Sequence, residues 1–285
     1  MKIVVFICVW KRPLLTDFVL RHFTSLRHEL RQHQIQLDLY LTGSEQSQTS
    51  AFASKYNAGF SIFPNSPLGA KHDKGIQSLR DYYRNKSLET GDPLPDAVSI
   101  FGSDDVVNAA FFLRVRHLMQ QTPRMHVVGL RDIYFQNLKT KRLVYTKGYK
   151  SFQVPISGTL GCGRVYSWPI LDDLDWHLWD TDRERGLDQS AVRNVMNRIP
   201  LIYDISEAIP GLQHGIVAVD LKSDSYSAGT NIWKFEEVIQ AVGKSGRLHD
   251  FEDKDASVVF SDAFGDQFLG SLEKLRTQME HFQTD

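Results

Sequence analysis

Residues 3 to 9 read IVVFICV, an unbroken apolar run rich in β-branched side chains. A strand with one face in water alternates apolar and polar residues, so a run without alternation belongs to a parallel sheet covered on both faces. The run stops at Lys11, Arg12 and Pro13. It is therefore too short to span a bilayer and lacks the layout of a secretory signal. Leu14, Leu15, Phe18, Val19, Leu26 and Leu30 then recur at near-helical spacing. A buried strand feeding an amphipathic helix is the first βα unit of an α/β fold.

The alternation continues. A strand is expected at IQLDLYLT (35 to 42), a polar helix near 46 to 57, a short strand from Phe60 to Phe63, and a helix carrying Ile76, Leu79 and Tyr83 that ends at Gly91. After the break GDPLPD, Ala97 to Phe101 forms a buried strand running into GSDDVV (102 to 107), with a helix expected from there to about Gln121. The second half offers strands at MHVVGL and DIYFQN, the basic stretch KTKRLVYTKGYK (139 to 150) and the glycine-rich ISGTLGCGRVYS (156 to 167). A helix from Leu187 to Asn197, a strand PLIYDI and a closing helix with Phe268, Leu272, Leu275, Met279 and Phe282 on one stripe follow. With no repeat, low-complexity tract or flexible linker, the expectation is one domain over 1–285. It divides into a nucleotide-binding half (1–124), an acceptor and catalytic half (125–222) and a C-terminal extension (223–285).

Composition excludes several classes. Lys plus Arg at 33 against Asp plus Glu at 34 leaves a formal charge of -1, so a polyanion would have to meet a local patch. Cys8 and Cys162 have no metal-type spacing, and a reduced, cytoplasmic setting is expected. Neither G-x-G-x-x-G nor a Walker A pattern occurs, which argues against an ordinary dinucleotide or P-loop site.

The strongest chemical signal is Ser103, Asp104 and Asp105 directly after a buried strand. Adjacent carboxylates repel unless a cation or hydrogen-bond donors offset them, and hard divalent ions prefer oxygen ligands. Capping of a following helix explains the same residues. His214, between glycines in GLQHGIVAVD, suits a metal ligand or a plain surface histidine. Asp188 in GLDQSAVRN opens a helix that carries Arg193; it suits a general base or a favourable charge at a helix N-terminus. Lys11, Arg12, Lys71 and Lys74 lie near strand ends, where α/β sheets bind ligands, although surface lysines are common. The glycines of SGTLGCG, Gly161 among them, admit close approach of a ligand or make a tight turn. Trp168, Trp176 and Trp179 suit ring stacking or core packing.

In order, VVFICVWKRP, NSPLGAKHDKGI, FGSDDVV, SGTLGCG, GLDQS and a late histidine resemble the GT-A glycosyltransferases, in particular the inverting family 2-like group, over about residues 1 to 222. The resemblance implies a Rossmann-like, mostly parallel sheet flanked by helices, a C-terminal helix, a nucleoside-diphosphate sugar donor (a UDP-sugar first) and a divalent ion, Mn2+ or Mg2+. It implies donor contacts from Arg12, Lys71, Lys74, Asp104, Gly161 and Arg193, metal ligation by Asp105 and His214, and Asp188 as catalytic base. The sequence departs from the family at Ser103, where Asp-x-Asp is usual, and at Leu187, where an acid often precedes the base.

Two other classes compete. A nucleotidyltransferase would carry a Gly-rich, Arg-containing loop after its first strand, and WKRPLLT has no glycine. A non-catalytic sugar- or nucleic-acid-binding module finds support in Lys139, Lys141, Arg142, Lys147 and Lys150, which also read as a solvated hairpin edge. The same run raises hydroxymethylated DNA, beside a glycan, as an acceptor.

Overall fold

The computed structural model describes residues 1–122, 124–223 and 234–281, with only the backbone described at 241–245. The first half runs β1 (Lys2–Cys8), α1 (Pro13–Arg31), β2 (Gln36–Gly43), α2 (Gln46–Tyr56), β3 (Gly59–Ile62), α3 (Leu68–Thr90), β4 (Ala97–Gly102), β5 (Asp105–Val107) and α4 (Ala109–Gln121). Then come β6 (Val127–Leu130), β7 (Ile133–Asn137), β8 (Leu143–Thr146), β9 (Arg164–Ser167), α5 (Trp168–Asp173), α6 (Leu187–Arg198), β10 (Ser206–Ile209) and β11 (Ala218–Lys222). The C-terminal part adds α7 (Phe235–Ser245), β12 (Glu252–Lys254), α8 (Ala256–Phe264) and α9 (Asp266–His281).

The main sheet has the order β10-β6-β9-β4-β1-β2-β3, and β9 alone in it runs antiparallel to its neighbours. As the opening run requires, β1 is buried on both faces. Ile3, Val5 and Ile7 join the core under α1, α4 and α9, whereas Val4 and Phe6 join a second core with Ile76, Leu79 and the three tryptophans. Each such fully buried aliphatic residue contributes roughly 1.5 to 3 kcal/mol. Trp168, Trp176 and Trp179 are at most 6% exposed, so packing is the role the fold gives them.

A second sheet, β12-β8-β7-β11-β5, starts where the first stops, because β5 follows β4 after two residues. Here two expectations are corrected. The helix expected after GSDDVV is present as α4, but β5 and Asn108 precede it, so the alternative that Ser103 to Asp105 cap it does not hold. The strand expected at PLIYDI is a series of turns, with Leu201 67% and Tyr203 64% exposed, and the pairing strand β10 starts at Ser206. Pro200 supplies no N–H for a ladder, and exposed apolar side chains drive no sheet burial.

In α9, Phe268, Leu272, Leu275 and Met279 are buried, and Phe268 meets Phe18 of α1 at 5.3 Å between ring centroids. Phe282 lies outside the described residues. No helix among the described residues is long and apolar enough to cross a membrane.

Candidate functional site

The chain builds β1, β2 and β3 to one side, then crosses back to lay β4 against the other flank of β1. Loops leaving β1 and β4 therefore diverge and open a crevice at the carboxyl ends of the strands, the usual ligand position in open α/β sheets. Cys8 stands opposite Gly102 in that register, so the Lys11–Arg12 loop and the Ser103–Asp105 segment face each other.

Lys11 and Arg12 both adopt left-handed backbone, at φ 53° and 49°. Non-glycine residues held there cost on the order of 1 to 3 kcal/mol each, and the surroundings must compensate. Part of that support is visible. The Arg12 guanidinium donates to Asp104 Oδ2 at 2.8 Å and to Ser103 Oγ at 2.7 Å. Ser103 is thus a hydrogen-bond acceptor for Arg12.

Asp105 opens β5 and stands directly opposite Asp220 in the antiparallel β5–β11 pair. Like charges across a strand pair repel, and burial strengthens the repulsion. One carboxylate oxygen each from Asp104, Asp105 and Asp220 lies within 4.8 Å of the others. Gly102 allows this crowding, since a Cβ there would lie 2.6 Å from Asp104 Oδ1 and 3.0 Å from Asp105 Oδ2. Its N–H donates to Asp105 Oδ2 at 2.7 Å.

The three acids respond differently. Burial, then the charges of Asp220 and Asp104, push Asp105 well above the usual carboxylate range. Burial chiefly raises Asp220 to about 6, against the pull of Lys222. Burial acts upward on Asp104 as well, yet the charges of Arg12 and Lys222 prevail and hold it low. Lys222 Nζ lies 2.6 Å from Asp220 Oδ2, while Asp220 Oδ1 is buried without a hydrogen-bond partner among the described residues. Oxygen donors in mutual repulsion, with one acceptor atom unsatisfied, fit a hard divalent cation.

Asp188 sits one residue into α6 and is exposed. Its carboxylate rests on Gly161, where a Cβ would lie 2.1 Å from Oδ1. The next residue, Cys162, is buried, and that burial together with the Asp105 carboxylate pushes its thiol pKa well up. The glycine-rich loop thus touches Asp188 on one side and the acid group on the other. Arg164, 3% exposed, pins this loop by donating to Thr159 Oγ1 at 2.9 Å and to the Thr159 carbonyl at 3.1 Å.

Other expected residues are placed elsewhere. Lys71 is buried, its Nζ donating to the Val9 carbonyl at 2.8 Å and to Asn65 Oδ1 at 3.0 Å, so it braces the end of β1. Burial lowers its pKa. Lys74, on the next turn of α3, is exposed. Arg193 pairs with Asp180, which also accepts from Asn194 at 3.1 Å, in a network that ties α6 to the preceding loop. His214 is exposed in the turn before β11, outside the acid group; the Asp132 carboxylate holds that turn through the N–H groups of Gly211 and Leu212 at 2.6 and 2.9 Å.

The basic stretch is largely answered by acids. Lys141 meets Glu273 at 3.0 Å, Arg142 meets Asp253 at 2.8 Å and Lys147 meets Glu252 at 3.9 Å. Its strand β8 is no sheet edge, because β12 covers it.

No protein-family model matches the sequence, and no curated protein matches it. Among solved structures, the chain is similar to residues 1–349 of S. aureus TarS, with a TM-score of 0.50 and 12% identity over 98% of this chain and 72% of that one. The fold is GT-A-like. Mannosyl-3-phosphoglycerate synthase from Rubrobacter xylanophilus matches at a TM-score of 0.43 and 9% identity (87% of this chain, 76% of that one). 4-Diphosphocytidyl-2C-methyl-D-erythritol synthase matches at 0.38 and 9% (73% and 90%).

Proposed function

We propose that this GT-A-like protein is a divalent-metal-dependent glycosyltransferase that moves a sugar from a nucleoside-diphosphate donor, a UDP-sugar first, to an acceptor hydroxyl with inversion. One observation carries the reading. Asp105 and Asp220 face each other across buried strands, with Asp104 beside them and a free carboxylate oxygen, at the switch point of the main sheet. Asp105 and Asp220 would hold Mn2+ or Mg2+, with Asp104 in support. When bound, the ion would offset the charge of the departing diphosphate.

The remaining chemistry belongs to the chain's own side chains. Arg12, fixed by Asp104 and Ser103, presents its guanidinium beside the donor's phosphates, and Lys71 holds the end of β1 in place for that loop. On the other side of SGTLGCG, Asp188 accepts the proton of the acceptor hydroxyl. The hydroxyl oxygen then bonds to the anomeric carbon, and the carbon–oxygen bond to the diphosphate breaks with its electron pair on the leaving oxygen. Exposure of Asp188 suits a base that must meet a second substrate. Glycan hydroxyls are the acceptor class we favour, because acids already engage Lys141, Arg142 and Lys147 of the basic stretch that would carry a polyanion.

The test is a thermal-shift panel of UDP-, GDP- and dTDP-sugars and nucleoside triphosphates, each with and without Mn2+. Stabilisation by one nucleotide sugar that requires Mn2+ is the expected result. Preference for a triphosphate with a sugar phosphate would replace the reading by nucleotidyl transfer, and no response to any nucleotide would leave a binding module.

A further inference from the structure

The acid group already holds a cation from its own strand. Lys222 lies two residues beyond Asp220 on β11; its side chain is 7% exposed and its Nζ is 2.6 Å from Asp220 Oδ2. The ammonium also lies 5.8 Å from the Phe135 ring centroid. Arg12 binds Asp104 on the β1 side of the crevice. The two cations thus take different acids, and Lys222 takes the one that faces Asp105.

We infer that Lys222 is a resident counter-ion that competes with the divalent ion for Asp220 and thereby sets how weakly the free protein binds metal. This rests on the metal reading above. Three carboxylates in so small a space are tolerated in the metal-free protein because Arg12 and Lys222 offset two of the three charges. A divalent ion bound to Asp220 meets the repulsion of an ammonium on the same carboxylate, in surroundings where charges are poorly screened. Lys222 therefore stabilises the acid group by itself and opposes metal binding to it.

The experiment titrates the full chain with Mn2+ alone, by calorimetry, in wild type, Lys222→Met and Lys222→Arg. Lys222→Met should bind Mn2+ at least about tenfold more tightly than wild type, whereas Lys222→Arg, which keeps the charge, should stay within about threefold of it. Melting without metal should place Lys222→Met below wild type, with Mn2+ recovering more of the midpoint in the variant. If Lys222→Met does not fold, Lys222→Gln should show the same tightening. Equal or weaker Mn2+ binding in a cooperatively folding, uncharged variant overturns the inference and leaves the metal reading intact. Failure of every variant, wild type included, to bind Mn2+ overturns both.

Discussion

The two sides of the glycine-rich loop differ in how charge is housed. The Asp105–Asp220 side is buried, crowded and internally compensated, with Arg12 and Lys222 locked onto two of its acids. The Asp188 side is open, its carboxylate lying against the bare backbone of Gly161. A site that must hold a diphosphate gains from preorganised charge, since dipoles and ions fixed beforehand need no rearrangement when the donor arrives. A base that meets a second substrate needs access instead. Under the proposed transfer reaction, the donor would lie on the buried side and the acceptor on the open side.

Paired substitutions give the largest expected effect. Asp188→Asn should lower transfer by about 10²- to 10⁴-fold, the usual worth of a general base, while Mn2+-dependent donor binding persists. Asp105→Asn should remove Mn2+-dependent donor stabilisation itself, read by thermal shift. If both variants lost donor binding alike, the division between the two sides would be void.

Gly161→Ala comes next. A Cβ at that position cannot coexist with the present place of the Asp188 carboxylate, so the side chain must swing away. Displacement of a reacting group by about 1 Å costs on the order of 10²-fold, and the loss should fall on kcat with donor KM nearly constant. An unchanged kcat would show that Asp188 does not act from where it lies against the loop.

Two buried histidines should contribute less stability in acid. His22 of α1 donates from Nε2 to the carbonyl of Val107, at the end of β5, at 2.7 Å, and burial lowers its pKa from 6.5 to about 4. Burial lowers His72 of α3, packed against Phe6 and Trp179, to about 4 as well. Both rings stay neutral when folded but protonate near 6.5 when unfolded. At each ring the unfolded state binds more protons between those values, so the ring's contribution to stability falls as pH drops from 6.5 toward 4, by on the order of 3 kcal/mol. Asp105 and Asp220, raised by burial, take up protons earlier in the folded chain and act in the opposite sense over this range. The histidine contribution is therefore read as the difference between wild type and His22→Gln in denaturant melts; identical pH slopes in the two would mean that the His22 ring is not held neutral.

Much of the first half was legible because its signals are local. The two-faced burial of β1, the positions of α1 and β2 and the stop of α3 at Gly91 follow from runs, spacing and one left-handed glycine. Asp104 and Asp105 stood out for the same reason. Asp220, Lys222 and Arg164 did not, because each acquires its place from pairing with a segment far away in the chain. Asp220 becomes Asp105's partner only through the β5–β11 register, and the sole sequence hint was two charged residues inside the otherwise apolar IVAVDLK. His214 drew attention as a histidine between glycines, yet the turn that carries it is held by Asp132 and lies outside the acid group. Arg193 shares a helix with Asp188 but lies five residues on, about 140° round the axis, and is taken by Asp180.

The smallest expected effect concerns the basic hairpin, which tests whether the open side extends to a charged acceptor. Lys141, Arg142 and Lys147 are solvated ion pairs with Glu273, Asp253 and Glu252, and exposed pairs of this kind contribute between 0 and about 1 kcal/mol. Replacing all three by alanine should therefore shift the melting temperature by only a few degrees and leave transfer to a neutral glycan within about twofold of wild type. For a polyanion along this surface, each lost phosphate contact would lower the slope of log affinity against log salt by nearly one. Binding of double-stranded DNA, followed by fluorescence anisotropy from low to physiological salt, should be weak and the same in wild type and triple variant. Tight wild-type binding that collapses in the variant would return the hairpin to the acceptor site and extend the open side across β7 and β8.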